Sequence, residues 1–554
     1  MGSTKGPTMG NSSVNLEGTA LLNDPVHNRG TAFTEEERSV HHLEGLLPAA
    51  VDDLSTQLKR VVGHLSAKPT ALEQYIYLQD LCDRNETLFY ATLMSDPARF
   101  VPIVYDPTIA DACLTYGHIY RRPQGMYLNK RMKGHFADVL ADWPEKDIRF
   151  VCVSSGGRIL GLGDIGANGA PIPIGKLQLY TGCAAVPPDC LLPVHLDIGT
   201  TNAALRADPL YTGLREEPPS PDEVDALVDE FVEAANKVFP GVCVHFEDWK
   251  GSDAIRLLAR YKDKHLVYND DIQGTASVTI AGLTTALQIK SEKLADQTVL
   301  FAGAGSAGIG IADMIVEAMV DGGLPREAAR KRVTLFDVNG LIEASRKDLN
   351  ASQAIYARDL KPTRDLAEAV AEVKPTILIG VSTVGGLFTE TVIRNMATKV
   401  DRPIIFPLSN PTDKAECTPE QAYKWTDGKA LVAAGVQFPD VTVGGKTFHP
   451  GQANNFYIFP AIGLAVYATR PKRIDDRMFI EAARGSADQV SQADRDKGML
   501  FPPQNDILET EIKTATWVAE YIFERGQATV DRPDDIRAWI KAMTYKPVYG
   551  ADRT

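Results

Sequence analysis

The sequence predicts an α/β protein with two successive parallel sheets set between a helical front and a helical tail. Three observations predict it. From "TEEERSV" to about residue 140 the apolar residues recur at helical spacing, as in "ALEQYIYLQDLCDRNETLFYATL". From residue 148 the period changes to short β-rich runs, each ending in polar or glycine residues and separated by helical or loop stretches. A second strand–helix series begins at "QTVLFAGAGSAGIGIADMIVEAM". Alternation of this kind argues for parallel strands flanked by helices.

Taken in order, residues 1–30 are polar and glycine-rich and read as a flexible tail. The helical N-terminal region spans 31–140, where Thr34 can cap a helix and Glu35 to Glu37 suit its first turn. A first α/β domain, 141–271, holds the strand candidates "IRFVCVSS", "CLLPVHLDIG", "VCVHFEDW" and "HLVYNDD". A second, 272–470, continues through "RVTLFD", "PTILIGVST", "RPIIFPLSNPT" and "ALVAAG". Residues 471–554 return to a helical pattern punctuated by Pro502 and Pro503.

Composition narrows the function classes. With 58 Lys and Arg against 72 Asp and Glu, the net charge is −14, and no basic stripe suits nucleic acid. Local Arg or Lys residues and helix N-termini still allow small anionic ligands. The seven scattered cysteines contain no C-x-x-C, which points away from a disulfide framework or a thiolate zinc site. No run of about 18 apolar residues suggests a membrane span. The N-terminus has neither a secretory nor a transit-peptide pattern, so a cytoplasmic protein is expected.

Four stretches carry chemistry. In "VLFAGAGSAGIGIADMI", Gly303, Gly305 and Gly308 form G-x-G-x-x-G between an apolar strand and an amphipathic helix, with Ser306 and Ala307 inside the motif. That context predicts a Rossmann-type dinucleotide site: tight turn, close backbone approach to pyrophosphate, and helix–strand packing. Asp337 closes the next strand and can take the ribose hydroxyls. Val338 and Asn339 after it offer no cation for a 2′-phosphate, which favours NAD while leaving NADP possible.

Glu247–Asp248 and Asp270–Asp271 are acidic pairs at the ends of two candidate strands. Such ends meet ligands in open α/β sheets. Carboxylates without His or Cys suit Mg²⁺ or Mn²⁺; two solvated turns are the alternative. The glycine-rich stretch 154–180 carries only two cations, Arg158 and Lys176. Arg158 suits a carboxylate, and Lys176, entering an apolar run, could lose proton affinity and act as a base. The alternative places both on a flexible surface loop. Tyr105 could donate a proton or simply be a buried phenol, and Asn410, Asn454 and Asn455 sit in turns where structural Asx bonding is the default.

Ten blocks, running in order from about residue 28 to 470, together resemble the malic enzyme family: "NRGTAFTEEER", "DRNETLFY", "YGHIYRRPQGMYL", "GRILGLGDIG", "PIPIGKLQLYT", "FEDW", "NDDIQGTASV", "FAGAGSAGIGIA", "LSNPT" and "GQANNFYIFP". The resemblance implies oxidative decarboxylation of L-malate to pyruvate and CO₂ with NAD(P) and Mg²⁺ or Mn²⁺. It implies Glu247, Asp248 and Asp271 as metal ligands, Lys176 as general base with Asp270 as its charge partner, and Tyr105 as the acid that protonates the enolpyruvate carbon. It further implies Arg158 at the malate C1 carboxylate and at the cofactor, Asn410 with Asn454 or Asn455 on the substrate side, and Asn410 also near the dinucleotide. A homodimer or homotetramer is expected by the same likeness, and Arg60 and Arg84 align with an effector pocket of some relatives.

One block departs from the family pattern. Where Y-T-P-T is usual this chain has Tyr105–Asp106–Pro107–Thr108, a feature similar to malolactic enzymes, which turn malate into lactate with bound NAD. Arg158 and the run Tyr120 to Pro123 lean back toward malic enzymes. A dinucleotide-binding regulatory protein with a dead site would need one of the implied catalytic positions to be lost, and none is.

Overall fold

The computed structural model describes residues 16–159 and 161–550, and its chain divides into two compact units. One unit comprises residues up to Asp96 together with the segment from Lys546. It is helical, with helices at Gly18–Leu22, Glu35–Val40, Leu54–Ser66, Ala71–Cys82 and Glu86–Ser95. The Glu35–Val40 helix starts in a reciprocal box, Thr34 accepting from the Glu37 N–H while the Glu37 carboxylate accepts from the Thr34 N–H. Residues 16–30 differ from the flexible tail expected there. Leu21 is buried against Phe33 and Leu43, an apolar anchor that the polar average of the segment conceals. Residues 1–15 lie outside the described part.

The second unit, Pro97–Tyr545, contains both sheets. The first sheet has five parallel strands, β1 Met126–Asn129, β2 Phe150–Ser154, β3 Leu191–Asp197, β4 Cys243–Glu247 and β5 Val267–Asn269, in the order β1-β3-β2-β4-β5. One face is apolar, with Val151, Val153, Val194, Leu196, Val244 and Phe246 in a core closed by helix Pro221–Val238. The opposite face aligns polar residues: Ser154 is in register with both His195 and Glu247, and His245 with Tyr268. Alternation across the pleat makes this division. Strand β1 falls inside the stretch read as helical. It is four residues long with only Leu128 buried, too short for a period to register.

The second sheet comprises β6 Val299–Ala302, β7 Val333–Asp337, β8 Gly340–Leu341, β9 Ile377–Gly380, β10 Ile404–Pro407, β11 Leu431–Ala434 and β14 Gly451–Gln452, in the order β14-β11-β10-β9-β6-β7-β8. All its pairs are parallel except β7 with β8. Strands β12 Val441–Val443 and β13 Lys446–Phe448 form a separate hairpin. The tail supplies helices Asp476–Ala487 and Ile507–Glu524, which pack on one another and against helices Thr275–Lys290 and Phe459–Thr469. No helix among the described residues is long and apolar enough to cross a membrane.

Candidate active site

The helix Pro171–Ala184 is buried on every side, and two prolines in its first turn remove N–H groups that a helix start leaves unpaired anyway. Such a helix belongs in a core, yet it carries Lys176, which is 2% exposed. The ammonium has specific partners. Nζ lies 2.5 Å from Asp270 Oδ2 and 3.1 Å from Glu247 Oε1, with the ring of Phe459 4.3 Å and that of Tyr105 5.4 Å away.

Strand β5 ends at Asn269, and residues Asp270–Gly274 form a single π-turn before the Thr275–Lys290 helix. A π-turn is uncommon and tends to mark a functional site. Asn269 caps it by accepting from the Ile272 N–H. The turn points the adjacent acids apart: Asp270 into the core to Lys176, and Asp271 toward β4, where it accepts from the Asp248 N–H at 2.9 Å. Gly274 is required here, because an added Cβ would lie 1.8 Å from Asp270 Oδ1.

Carboxylate oxygens of Glu247, Asp248 and Asp271 all lie within 4.8 Å of one another. Burial pushes Glu247 up to about 7, Lys176 opposing and Asp270 adding to the shift. Burial pushes Asp248 and Asp271 well above the usual carboxylate range, helped at Asp248 by the charges of Asp271 and Glu247 and at Asp271 by those of Glu247 and Asp270. Two buried carboxylates and the half-buried Asp271, with one ammonium beside them, are short of positive charge, and a hard divalent cation fits that donor set. For Lys176, burial alone would release the proton. Asp270 and Glu247 outweigh it and hold the ammonium well above its ordinary value.

These groups open on one cavity of about 570 Å³, lined also by Tyr105, Asp106, Asn410, Asn454 and Asn455. Burial raises Tyr105 well above a free phenol, with Lys176 working the other way. Asp106 is itself raised by burial, with Lys176 working the other way. Asn410 Oδ1 is buried with no hydrogen-bond partner. Asn455 is committed as a clamp, its Nδ2 donating to Asp270 Oδ2 at 2.9 Å and to Thr275 Oγ1 at 3.1 Å. Asn454 caps the next turn through Oδ1, which accepts from the Phe456 N–H. Arg158 is exposed and lies outside the cavity lining; its guanidinium sits by Gly251, next to Ser306 of the glycine turn.

The glycine turn has the shape a dinucleotide needs. Gly303 has φ +119°, and a Cβ there would lie 2.4 Å from the Val381 carbonyl; one on Gly308 would lie 2.4 Å from the Gly303 carbonyl. Gly305 faces open space, and helix Ser306–Asp321, with Ala307 in its first turn, starts without a side-chain cap. Uncapped N–H groups beside an open glycine suit a pyrophosphate. Asp337 ends β7 as expected, but a cation does reach it. Arg346 makes two bonds to Asp337, at 2.8 and 2.9 Å, and also pairs with Asp348. Its distance of nine residues hid it from any local motif.

Two family descriptions match the chain, "Malic enzyme, N-terminal domain" over residues 82–262 and "Malic enzyme, NAD binding domain" over 272–523. The chain belongs to the malic enzyme family. The NADP-dependent malic enzyme of Mus musculus is 44% identical over 535 residues, covering 96% of this chain and 94% of its own. The chloroplastic NADP-dependent malic enzyme of Oryza sativa subsp. japonica is 44% identical over 540 residues, covering 97% and 84%. Among solved structures, the Entamoeba histolytica malic enzyme covers 91% of this chain and 90% of its own, with TM-score 0.57 at 21% identity. That likeness shows the fold. The malic enzyme expectation is borne out, with NAD(P) as cofactor, and the malolactic alternative is not favoured.

The residues that sequence reasoning passed over surround the lysine and the acids. His245 bonds Glu247, Tyr180 and Tyr268 contact His245, and Phe459 covers Lys176. Glu416, fully buried, accepts from the backbone N–H and hydroxyl of both Ser382 and Ser409, tying together two loops beside the glycine turn. "VCVHFE" and "LYT" hold the first signals, polar groups at inward positions of strand and helix.

Proposed function

We propose that the chain oxidises L-malate at C2 and releases C4 as CO₂, giving pyruvate and reduced NAD(P). The observation that carries the reading is Lys176, bonded at once to Asp270 and to Glu247, with Glu247 in the three-carboxylate cluster of the same cavity. Glu247, Asp248 and Asp271 would hold Mg²⁺ or Mn²⁺, which supplies two positive charges to offset these acids and to polarise the oxygen at C2. The dinucleotide, seated at Gly303, Gly305, Ser306, Ala307 and Gly308, supplies the hydride acceptor.

The protein's part is proton handling and orientation. Lys176, as the neutral amine once it has given up its own proton, takes the C2 hydroxyl proton as the C2 hydrogen leaves as hydride. Asp270, clamped by Asn455, keeps the lysine aimed at that oxygen. After the C3–C4 bond breaks, Tyr105 donates its proton to C3; a phenol raised by burial stays protonated until a basic carbon is before it. Asn410, its Oδ1 unpartnered in the cavity wall, holds the substrate side with Asn454. Arg158, exposed near Ser306 of the glycine turn, reads a carboxylate or the cofactor.

NAD is the preferred cofactor in this reading, although the relatives named above are NADP-dependent by name. Around Arg346 two carboxylates face one guanidinium, so a 2′-phosphate would meet a net negative patch. Val338, 95% exposed beside it, adds no charge. A cytoplasmic home has support in seven cysteines that are all free, and a homodimer or homotetramer is the proposed assembly. The deciding assay follows reduced cofactor and pyruvate from L-malate with NAD and with NADP, with and without Mn²⁺. Equal yields of both products support the reading. Lactate without free NADH would transfer it to the malolactic reaction.

A further inference from the structure

The Glu247 carboxylate is held on both oxygens, and the second holder has no place in the chemistry above. Oε1 accepts from Lys176 at 3.1 Å; Oε2 lies 2.9 Å from His245 Nε2. His245 is fully buried, stacked on Tyr268 with centroids 4.5 Å apart, and its Nδ1 lies 3.1 Å from the Tyr180 hydroxyl and 3.0 Å from that of Tyr268. The two hydroxyls also bond one another.

The arrangement follows from matched spacings. Lys176 and Tyr180 are four apart on one helix face, about 6 Å along the axis. Glu247 and His245 are two apart on one strand face, about 6.6 Å. The helix lies over the sheet so that Lys176 meets Glu247 and Tyr180 meets His245, and the His245–Glu247 bond closes the ring. A hydroxyl donating to Nδ1 leaves the imidazole proton on Nε2, where the carboxylate is the acceptor.

We propose that His245 is a positioning residue for the divalent cation: its Nε2–H, fixed in that tautomer by the Tyr180 and Tyr268 hydroxyls, holds Glu247 in the orientation that ligates. The inference rests on the cation reading of Glu247, Asp248 and Asp271. Hydrogen bonds from behind a ligand orient it and set its donor strength, and losing one costs about 10–100-fold in metal affinity.

The test measures Mn²⁺ binding to the full chain by the electron paramagnetic resonance of free Mn²⁺, with neither malate nor dinucleotide present. His245→Phe keeps ring volume and removes both bonds. His245→Gln restores a donor and an acceptor about as far apart as the ring nitrogens. Asp271→Asn tests the cation site itself, and NADH binding by fluorescence reports an intact fold. The expected result is a Kd raised ~10–100-fold in His245→Phe, returned to within ~3-fold in His245→Gln, with NADH binding unchanged. A parental Kd in His245→Phe overturns the proposal, as does a His245→Gln Kd as weak as that of His245→Phe. Where His245→Phe fails to bind NADH, the Tyr180→Phe, Tyr268→Phe double variant decides: a weaker Kd supports the role and an unchanged one refutes it. If Asp271→Asn binds Mn²⁺ as the parent does, the cation reading itself has failed. Loss in Asp271→Asn with no change at His245 leaves that reading standing and removes only this one.

Discussion

Lys176→Ala and Asp271→Ala should both abolish malate oxidation for opposite reasons, and cation binding separates them. Lys176 is buried and makes two ion pairs. Its removal takes away the base, a term worth about 10²–10⁴ in rate or ~3–5.5 kcal/mol of barrier. It also strands two buried carboxylates, and breaking a buried pair costs ~3–5 kcal/mol of stability. The same change takes a positive charge off Glu247, so Mn²⁺ should bind Lys176→Ala at least as tightly as the parent. Saturating Mn²⁺, at ~100 times its Kd, should then return ~2.7 kcal/mol of the lost stability. Asp271→Ala removes a ligand and with it one of three charges, so Mn²⁺ affinity should fall by more than the ~100-fold that marks the upper end for an outer partner. The assay pairs Mn²⁺ titration with thermal melts at zero and saturating Mn²⁺, beside initial rates. Mn²⁺ affinity retained in Asp271→Ala, or a Lys176→Ala rate within tenfold of the parent, would refute the assignment.

Tyr105→Phe should cut turnover about 10²–10⁴-fold without moving the Mn²⁺ Kd. It should also stop exchange of the pyruvate methyl protons in D₂O, and exchange that persists would assign the C3 proton elsewhere. Asp337→Ser should free Arg346 for a 2′-phosphate and shift the NADP-to-NAD ratio of kcat/KM upward by ~10-fold, near 1.4 kcal/mol; an unmoved ratio would show that specificity lies at other residues. Glu511, fully buried, is pushed well above the carboxylate range by burial, with the Ala461 backbone opposing. An acid whose folded value exceeds its unfolded one loses stability as pH rises from the unfolded value toward the folded one. Melting temperatures of Glu511→Gln minus parent should therefore grow between pH 5 and pH 8, and a difference that is flat or shrinking with pH would contradict a neutral buried carboxyl.

What the sequence made legible followed short-range rules. The strands β2 to β7 are runs of β-branched and aromatic residues with polar ends, and the G-x-G-x-x-G context fixes the turn at Gly303 locally. Asp270 and Asp271 stood out because they enter an apolar run with no basic residue within five positions downstream. What stayed hidden depended on distance along the chain. Lys176 reaches Asp270 across 94 residues and Asn455 reaches it across 185, so no window holds the clamp. His245 looked like one more inward residue of a strand, and only the helix laid over β4 gives it Tyr180 as a partner. Arg346 illustrates the same limit on a smaller scale, since β8 must fold back on β7 to bring it to Asp337.

The charges of the cavity argue that cation and substrate belong together. Fully ionised, Glu247, Asp248, Asp270 and Asp271 against Lys176 would leave three negative charges before a substrate that brings two more. Without a cation the site relieves itself by keeping protons, which is why burial and mutual repulsion raise Glu247, Asp248 and Asp271. Two added positive charges remove the reason for holding those protons and weaken the grip of Glu247 on the Lys176 ammonium. Lys176 would keep Asp270 as its charge partner, while burial under the rings of Phe459 and Tyr105, the influence that favours its neutral form, would meet less opposition. We propose that the acid cluster would do two things at once: make activity depend on a divalent cation, and make the readiness of Lys176 as a base depend on that cation being in place.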